Sequence, residues 1–261
     1  MDKARVFFVG AGPGAADLIT VRGMRIISES DVIIYAGSLV NPELLKYAKQ
    51  GAEIHNSAYM TLEEVITVMG AAAKSGKTVC RLHTGDPSLY GAVREQMDAL
   101  DELGLGYESC PGVSAAFGAA ASMDLEYTLP GLSQSLVITR MEGRTEVPAK
   151  ESIEGWAAHG ATMAIYLSAG MVSELTDRLI TGGYSEDTPA AIIYKATWPE
   201  EEYYYCRLSD LPAAAEEHNI TRTALILVGE VIGKSGYNRS KLYDSSFATG
   251  FRNAKESPEG R

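Results

Sequence analysis

Val6-Phe7-Phe8-Val9-Gly10-Ala11-Gly12-Pro13-Gly14 runs from an unbroken apolar segment straight into a glycine loop. Four consecutive apolar residues closed by glycines read as a buried strand, too short for a helix. Outward from it, short β-branched runs alternate with helical stretches, the pattern of α/β layering. Thr20 is placed to cap a first helix, which ends before a second strand at Val32–Tyr35. Asn41-Pro42-Glu43 combines an Asn cap with Pro at the first helical position, and that helix is expected to run to Gly51. Thr61-Leu62-Glu63-Glu64 fits a capping box and opens a helix to about Lys74. Thr78–Leu82 is a strand that delivers His83-Thr84-Gly85-Asp86-Pro87 at its carboxyl end. A helix over Tyr90–Leu103 and a strand over Gly106–Ser109 follow, and Pro111-Gly112-Val113-Ser114 leads into an alanine-rich helix.

The alternation then restarts. Ser135–Arg140, Thr162–Leu167, Ala190–Tyr194, Tyr203–Arg207 and Ala224–Val228 read as strands, with helices over Glu151–Ala158, Met171–Ile180 and Asp210–Glu217. Two α/β domains, residues 1–121 and 122–234, account for this better than one continuous sheet. Residues 235–261 lack periodicity and read as a partly ordered tail.

Composition narrows the function classes. At 261 residues, 46% hydrophobic and 22% charged, the chain is that of an ordinary globular protein of one or two domains. It has no apolar run of the roughly 18 residues that a spanning helix needs, and its amino terminus lacks a secretory pattern, so a cytoplasmic location away from membranes is expected. Cys80, Cys110 and Cys206 are scattered, without the spacing of a metal site or a disulfide framework. A formal charge of −11 argues against nucleic acid as a partner.

Three loops with small or turn-forming residues, Gly10–Gly14, Thr84–Pro87 and Pro111–Ala115, stand at the carboxyl ends of strands. Ligands of open α/β sheets bind there, where glycine lets the backbone come close. A dinucleotide is disfavoured. The Rossmann pattern wants a carboxylate at the end of the second strand, where this chain has Tyr35-Ala36-Gly37-Ser38, and Pro13 removes a donor that a pyrophosphate would need. Asp86 is the one acid on these loops, suited either to capping a helix or to receiving a ligand amine or hydroxyl.

Val9–Gly14 with Asp17-Leu18-Ile19-Thr20, Arg81–Pro87 with Tyr90-Gly91, and Pro111–Ala115 resemble the three signatures of the tetrapyrrole methylase family. Tyr35–Val40, Leu136–Thr145 and Tyr194–Pro199 resemble the branch that methylates C11 of precorrin-4. The form His83–Gly91 and the segment Ser240–Asp244 are similar to members of that branch acting on the cobalt-containing substrate. The resemblance implies a homodimer of two-domain subunits, each domain a mostly parallel or mixed sheet flanked by helices. It implies S-adenosylmethionine in the cleft between the domains, leaving as S-adenosylhomocysteine. Carried over by motif, its contacts are Pro13, Thr84, Gly85, Asp86, Ser114 and Ala115, with Leu167, Ser168, Ala196 and Ala224 from the second half.

A tetrapyrrole acceptor carries carboxylate arms, and arginine's planar fork suits them. Arg140 and Arg144, at and just beyond a strand end, are the foremost candidates, followed by Lys195 and Arg81. A ring carbon of a reduced tetrapyrrole is enamine-like, so no catalytic triad is expected and none is present. Asp86, Tyr90 and His83 are the nearest candidates to take up the proton lost after transfer. No metal site is expected. A related methylase with another acceptor, and a nucleotide-binding oxidoreductase or binding module, remain the alternatives.

Overall fold

The computed structural model describes residues 5–254, and within them the chain forms two compact units. The first holds the residues up to Ser122 together with Lys195–Glu202; the second holds Met123–Tyr194 and the residues from Tyr203 on. The expected second domain is therefore not continuous, since its segment Lys195–Glu202 clusters with the first unit.

In the first unit the elements are β1 (Val6–Gly10), α1 (Val21–Glu29), β2 (Val32–Tyr35), β3 (Glu53–Asn56), α2 (Leu62–Lys74), β4 (Val79–His83), α3 (Arg94–Glu102), β5 (Tyr107–Cys110) and α4 (Ala115–Ser122). The five strands are parallel in the order β3-β2-β4-β1-β5. Side chains alternate across a strand, so Val6, Phe8, Val32, Ile34 and Val79 pack with Val65 and Met69 of α2 and Leu100 of α3. Val9, Ile33, Cys80 and Leu82 face the other way, onto Ile27 of α1 and Leu44. Cover on both faces is why β1 reads as an unbroken apolar run.

Local signals hold where their hydrogen bonds form. The Thr20 hydroxyl accepts from Gly23 N–H at 3.0 Å, and both halves of the Thr61–Glu64 capping box are made, at 2.8 and 3.3 Å. Three expectations are corrected. Asn41 caps a short 3-10 helix, Pro42–Tyr47, in place of an α-helix reaching Gly51. The helix expected from Tyr90 begins at Arg94, because Tyr90 (φ 54°) and Ala92 (φ 47°) are left-handed and cannot propagate a right-handed helix. The parallel edge strand β3 went unread, because Glu53-Ile54-His55-Asn56 is half polar and at the sheet's margin.

The second unit contains β6 (Leu136–Arg140), α5 (Ile153–Ala157), β7 (Thr162–Tyr166), α6 (Val172–Gly182), β8 (Pro189–Tyr194), β9 (Glu202–Arg207), α7 (Leu211–Glu217) and β10 (Ala224–Val228). The order is β6-β7-β10-β8-β9; β6 and β7 are parallel, and β10 is antiparallel to both β7 and β8. Met163, Ile165, Ile192, Ile226 and Val228 pack with Leu175 and Leu179 of α6, Leu211 of α7 and Ile153 of α5. After β10 a 3-10 turn at Lys241–Tyr243 is fastened by Arg252, which donates to the carbonyls of Leu242, Asp244 and Phe247. Residues 255–261 of the expected tail lie outside the described residues, as do residues 1–4, on which the reading of the amino terminus rests.

Thr61→Ala removes one half of the capping box from a surface-exposed helix end and should cost about 1 kcal/mol. A urea titration should show the midpoint falling with an unchanged slope.

Candidate active site

Three neighbouring parallel strands, β4, β1 and β5, must release their chains at the same edge of the sheet. There the backbones meet almost atom to atom. Gly12 N–H donates to the Gly85 carbonyl at 3.3 Å, Gly85 N–H returns to the Gly12 carbonyl at 2.8 Å, and Ala11 N–H reaches the His83 carbonyl at 2.7 Å. A Cβ on Gly10 would stand 2.5 Å from Gly112 Cα, and one on Gly112 would stand 2.1 Å from the Gly85 oxygen. No side chain fits at either position, and Gly12 (φ 82°) and Gly85 (φ 60°) also need left-handed backbone.

Asp86 ties the same loops together. One carboxylate oxygen accepts from Gly112 N–H at 2.8 Å, and the other from the backbone and hydroxyl of Ser88. Burial raises the proton affinity of this carboxyl. The hydrogen bonds from Ser88 and Gly112 outweigh that and hold it below the usual carboxylate range. Asp86 therefore acts as an ionised clasp between two loops, with both oxygens engaged, and not as a free base.

The segment Lys195–Glu202 completes this edge of the first unit. Ala15 N–H donates to the Thr197 hydroxyl at 3.0 Å, and the Trp198 indole N–H donates to the Pro13 carbonyl at 3.1 Å. Trp198 and the Ala196 carbonyl press on Gly14, where a Cβ would lie 2.2 and 2.8 Å from them. Pro13 in turn packs on Gly118 of α4, and Glu201 accepts from Ser122 at the end of that helix and from Thr197 N–H. Lys195 (φ 47°) and the β-branched Thr197 (φ 68°) are held in left-handed backbone. Such conformations cost of order 1–3 kcal/mol each and persist where surroundings enforce them, often at functional sites. Pro13, Thr84, Gly85, Asp86, Ser114, Ala115 and Ala196 are thus gathered at one edge of one unit. Lys195 pairs with Glu200 at 3.4 Å and lies over the Trp198 ring.

Two candidates point inward instead. Arg81 is 6% exposed and donates to Gln96 of α3 at 3.0 Å and to the Ile34 carbonyl at 3.3 Å. Burial pulls its guanidinium down to about 10. The expectation that it meets a substrate carboxylate is corrected: it braces the sheet against α3. His83 is 5% exposed, with its ring tilted against Phe8, and its Nε2 is buried with no partner among the described residues. Burial, and then the Arg81 charge, draw the imidazole down to about 3. It is neutral at physiological pH and a poor proton acceptor. Tyr90 sits half-exposed in its left-handed turn.

In the second unit the expected residues fall at one end of the mixed sheet. Arg140 pairs with Tyr166 in register at the close of β6 and β7, and Ala224 pairs with Tyr194 at the start of β10 and the end of β8. Ser168 is fully buried; its hydroxyl donates to the Tyr166 carbonyl at 2.7 Å and accepts from Met141 N–H at 2.9 Å. Leu167 beside it is 65% exposed with φ 54°, and Thr223, next to Ala224, has φ 55°. Arg140 donates to the carbonyls of Met141, Thr145 and Glu146, each at 3.0 Å. Three of its five N–H groups therefore staple its own loop, which corrects its expected role as a direct anchor. Arg144, at the crown of that loop, is exposed and has no acidic partner among the described residues.

Sequence reasoning did not single out Thr197, Glu201 or Arg178. Their partners lie from tens of residues to nearly two hundred away along the chain, and no local spacing announces them.

The sequence profile of the family described as Tetrapyrrole (Corrin/Porphyrin) Methylases matches residues 5–212. A cobalt-precorrin-4 C(11)-methyltransferase of Methanocaldococcus jannaschii is 51% identical over 253 residues, covering 97% of this chain and 98% of the relative. The solved structure of a cobalamin biosynthetic enzyme, cobalt precorrin-4 methyltransferase, matches with a TM-score of 0.85 at 42% identity, covering 87% of this chain and 95% of that one. A uroporphyrin-III C-methyl transferase from Thermus thermophilus, solved in complex with S-adenosyl homocysteine, matches with a TM-score of 0.74 at 26% identity, covering 89% and 100%.

Gly112→Ala drives a methyl group into the Gly85 carbonyl and should destabilise the chain by about 3 kcal/mol, at the upper end of overpacking costs. Gly143→Ala, which meets nothing within 4 Å, should change stability by less than about 0.5 kcal/mol. Equal denaturation midpoints for the two variants would show that the junction yields more easily than its geometry implies.

Proposed function

The chain belongs to the tetrapyrrole methylase family, and on that premise we propose that it transfers the methyl group of S-adenosylmethionine to C11 of cobalt-precorrin-4, giving cobalt-precorrin-5A, in cobalamin biosynthesis. What carries the proposal is likeness along nearly the whole chain to a relative named for that reaction.

The strand-end loops suit the methyl donor. They offer a rigid, backbone-lined edge that glycines keep open. A Cβ built on Gly85 would be in ordinary contact with Ser114 and Ala115, at 3.7 and 3.8 Å, so the two loops that would hold the donor lie side by side. Pro13, Thr84, Gly85, Ser114, Ala115 and Ala196 would hold the donor, and family likeness carries Leu167 and Ala224 over as further contacts; Ser168, fully buried with its hydroxyl engaged by Tyr166 and Met141, serves its own loop instead. Asp86 serves by fixing the loops. When bound, the donor supplies an electrophilic methyl group for in-line displacement. The protein's task is alignment in a water-poor site, which by itself is worth several kcal/mol of barrier. Since the acceptor carbon is enamine-like, no strong base is needed, which agrees with Asp86 and His83 being committed to structure. Tyr90 is the remaining candidate for the proton lost afterwards.

A chain of charge −11 repels a polycarboxylate at long range. Binding therefore rests on local cations, Arg144 first and Lys195 second. Cobalt arrives as part of the substrate; among the described residues there is no group of three or more His, Cys, Asp or Glu side chains placed to hold an ion. A cytoplasmic homodimer belongs to the same proposal on family likeness, and among the described residues no helix is long and apolar enough to cross a membrane.

S-adenosylhomocysteine at about 100 times its Kd should stabilise the fold by roughly 2.7 kcal/mol, raising the melting temperature by several degrees, whereas NADH and NADPH should leave it unchanged. The reverse pattern would return the chain to the oxidoreductase reading.

Incubation with S-adenosylmethionine and either cobalt-precorrin-4 or metal-free precorrin-4 should add one CH2 to the cobalt substrate at the higher kcat/KM, with a 13C-labelled methyl appearing at C11. Methylation at another carbon, or of neither substrate, sinks the assignment; preference for the metal-free ring moves it to the sister reaction.

A further inference from the structure

The loop that follows β6 is fastened at both ends although residues 142–146 are exposed. From inside, Arg140 holds the carbonyls of Met141, Thr145 and Glu146, and Gly143 N–H closes onto the Thr145 carbonyl at 3.3 Å. At its base, Ser168 holds Met141 N–H. From outside, Arg178 of α6 reaches the loop. Its Nε and Nη2 grip both carboxylate oxygens of Glu154 on α5, at 2.6 and 2.9 Å, while Nη1 stands 2.6 Å from Glu142. The Arg178 side chain is only 17% exposed. The fork is therefore oriented by α5 before it meets the loop, as a bidentate pair requires.

Each charge in this chain of groups has a neighbour except the last. Glu154 and Glu142 are both held as carboxylates by Arg178, Glu154 down to about 2. Arg144, two residues past Glu142, has no acid to meet among the described residues. The pinned backbone on either side of Arg144 sets where this exposed guanidinium leaves the loop.

We propose that Arg178 is a positioning residue for substrate binding: through Glu142 it sets the loop that presents Arg144 to a carboxylate arm of the tetrapyrrole. The inference rests on the reading above that Arg144 receives such an arm. Its physical content is preorganisation. Without the Arg178–Glu142 tie the loop samples other shapes, and binding must first order it. Arg178 makes none of its hydrogen bonds with the strand-end loops around Pro13, Thr84 and Ser114, so the loss should appear in tetrapyrrole affinity and not in donor affinity.

The experiment is a mutant cycle on the full chain with cobalt-precorrin-4. Arg178→Met should raise KM for the tetrapyrrole about five- to tenfold, the scale of about 1 kcal/mol of lost preorganisation, with kcat within about twofold and S-adenosylhomocysteine affinity unchanged. Arg144→Ala should raise KM at least as much. The double variant should match Arg144→Ala alone, since a loop without its arginine gains nothing from being held. Glu142→Gln leaves the Arg178–Glu154 pair intact and should give a smaller rise of the same kind, which preserves the test if Arg178→Met folds poorly. Trypsin should cut after Arg144 faster in Arg178→Met and in Glu142→Gln than in the parent chain. If Arg144→Ala raises KM and neither Arg178→Met nor Glu142→Gln does, the inference falls and the substrate reading stands. If the two effects add in full, Arg178 acts by another route and the inference falls. An unchanged KM in Arg144→Ala overturns the substrate reading and the inference with it.

Discussion

Everything at the candidate site depends on three backbones approaching more closely than any side chain permits. Gly10, Gly85 and Gly112 lie at the carboxyl ends of adjacent parallel strands, and a Cβ on Gly10 or Gly112 would overlap a neighbouring main chain. The approach brings Gly12 and Gly85 into paired hydrogen bonds and lets Asp86 clasp Gly112. It also seats Pro13 against Gly118 at the first turns of α4, where Trp198 and Thr197 then cover Pro13 to Ala15. Glycine is used here less for its dihedral freedom than for the volume it leaves out.

Charge in this protein is handled locally. Two ionisable groups of β4, Arg81 and His83, are buried, and both lose proton affinity to desolvation. They serve the sheet. On the other unit the loop after β6 uses Arg140 to hold carbonyls, pairs Glu142 with Arg178, and leaves Arg144 outward. A strongly acidic protein can in this way offer a cation to an anionic ligand, because at contact distance the local field outweighs the distant net charge.

Backbone strain gathers where these two surfaces are built. Leu167 and Thr223 sit at the end of the mixed sheet that carries Arg140, Ser168 and Ala224, and Lys195 and Thr197 sit in the segment that returns to the first unit. Four non-glycine residues in left-handed backbone, two of them threonines, are more than turn-making requires. Thr197 is held there by its neighbours, its hydroxyl accepting from Ala15 N–H and its own N–H donating to Glu201.

What the sequence determined by itself was whatever is encoded within a few residues. The buried run at Val6–Val9, the Thr20 and Thr61 caps and the strands of the second half all follow from periodicity and capping chemistry, and the structure places them within a residue or two. Resemblance of the strand-end motifs identified the family. Its limits were equally local: β3 has too little apolar pattern to announce itself, and nothing in Tyr90–Val93 signals left-handed backbone. Tertiary structure alone decided which cations remain available. Arg81, Arg140 and Arg144 look alike in sequence, yet one is buried against Gln96, one is bound to its own loop, and one is exposed. It alone also set Trp198 over Pro13 and Gly14. The physical reason is that a hydrogen bond is fixed by distance in space, and its partners here lie up to 185 residues apart in the chain, beyond any period a sequence can display.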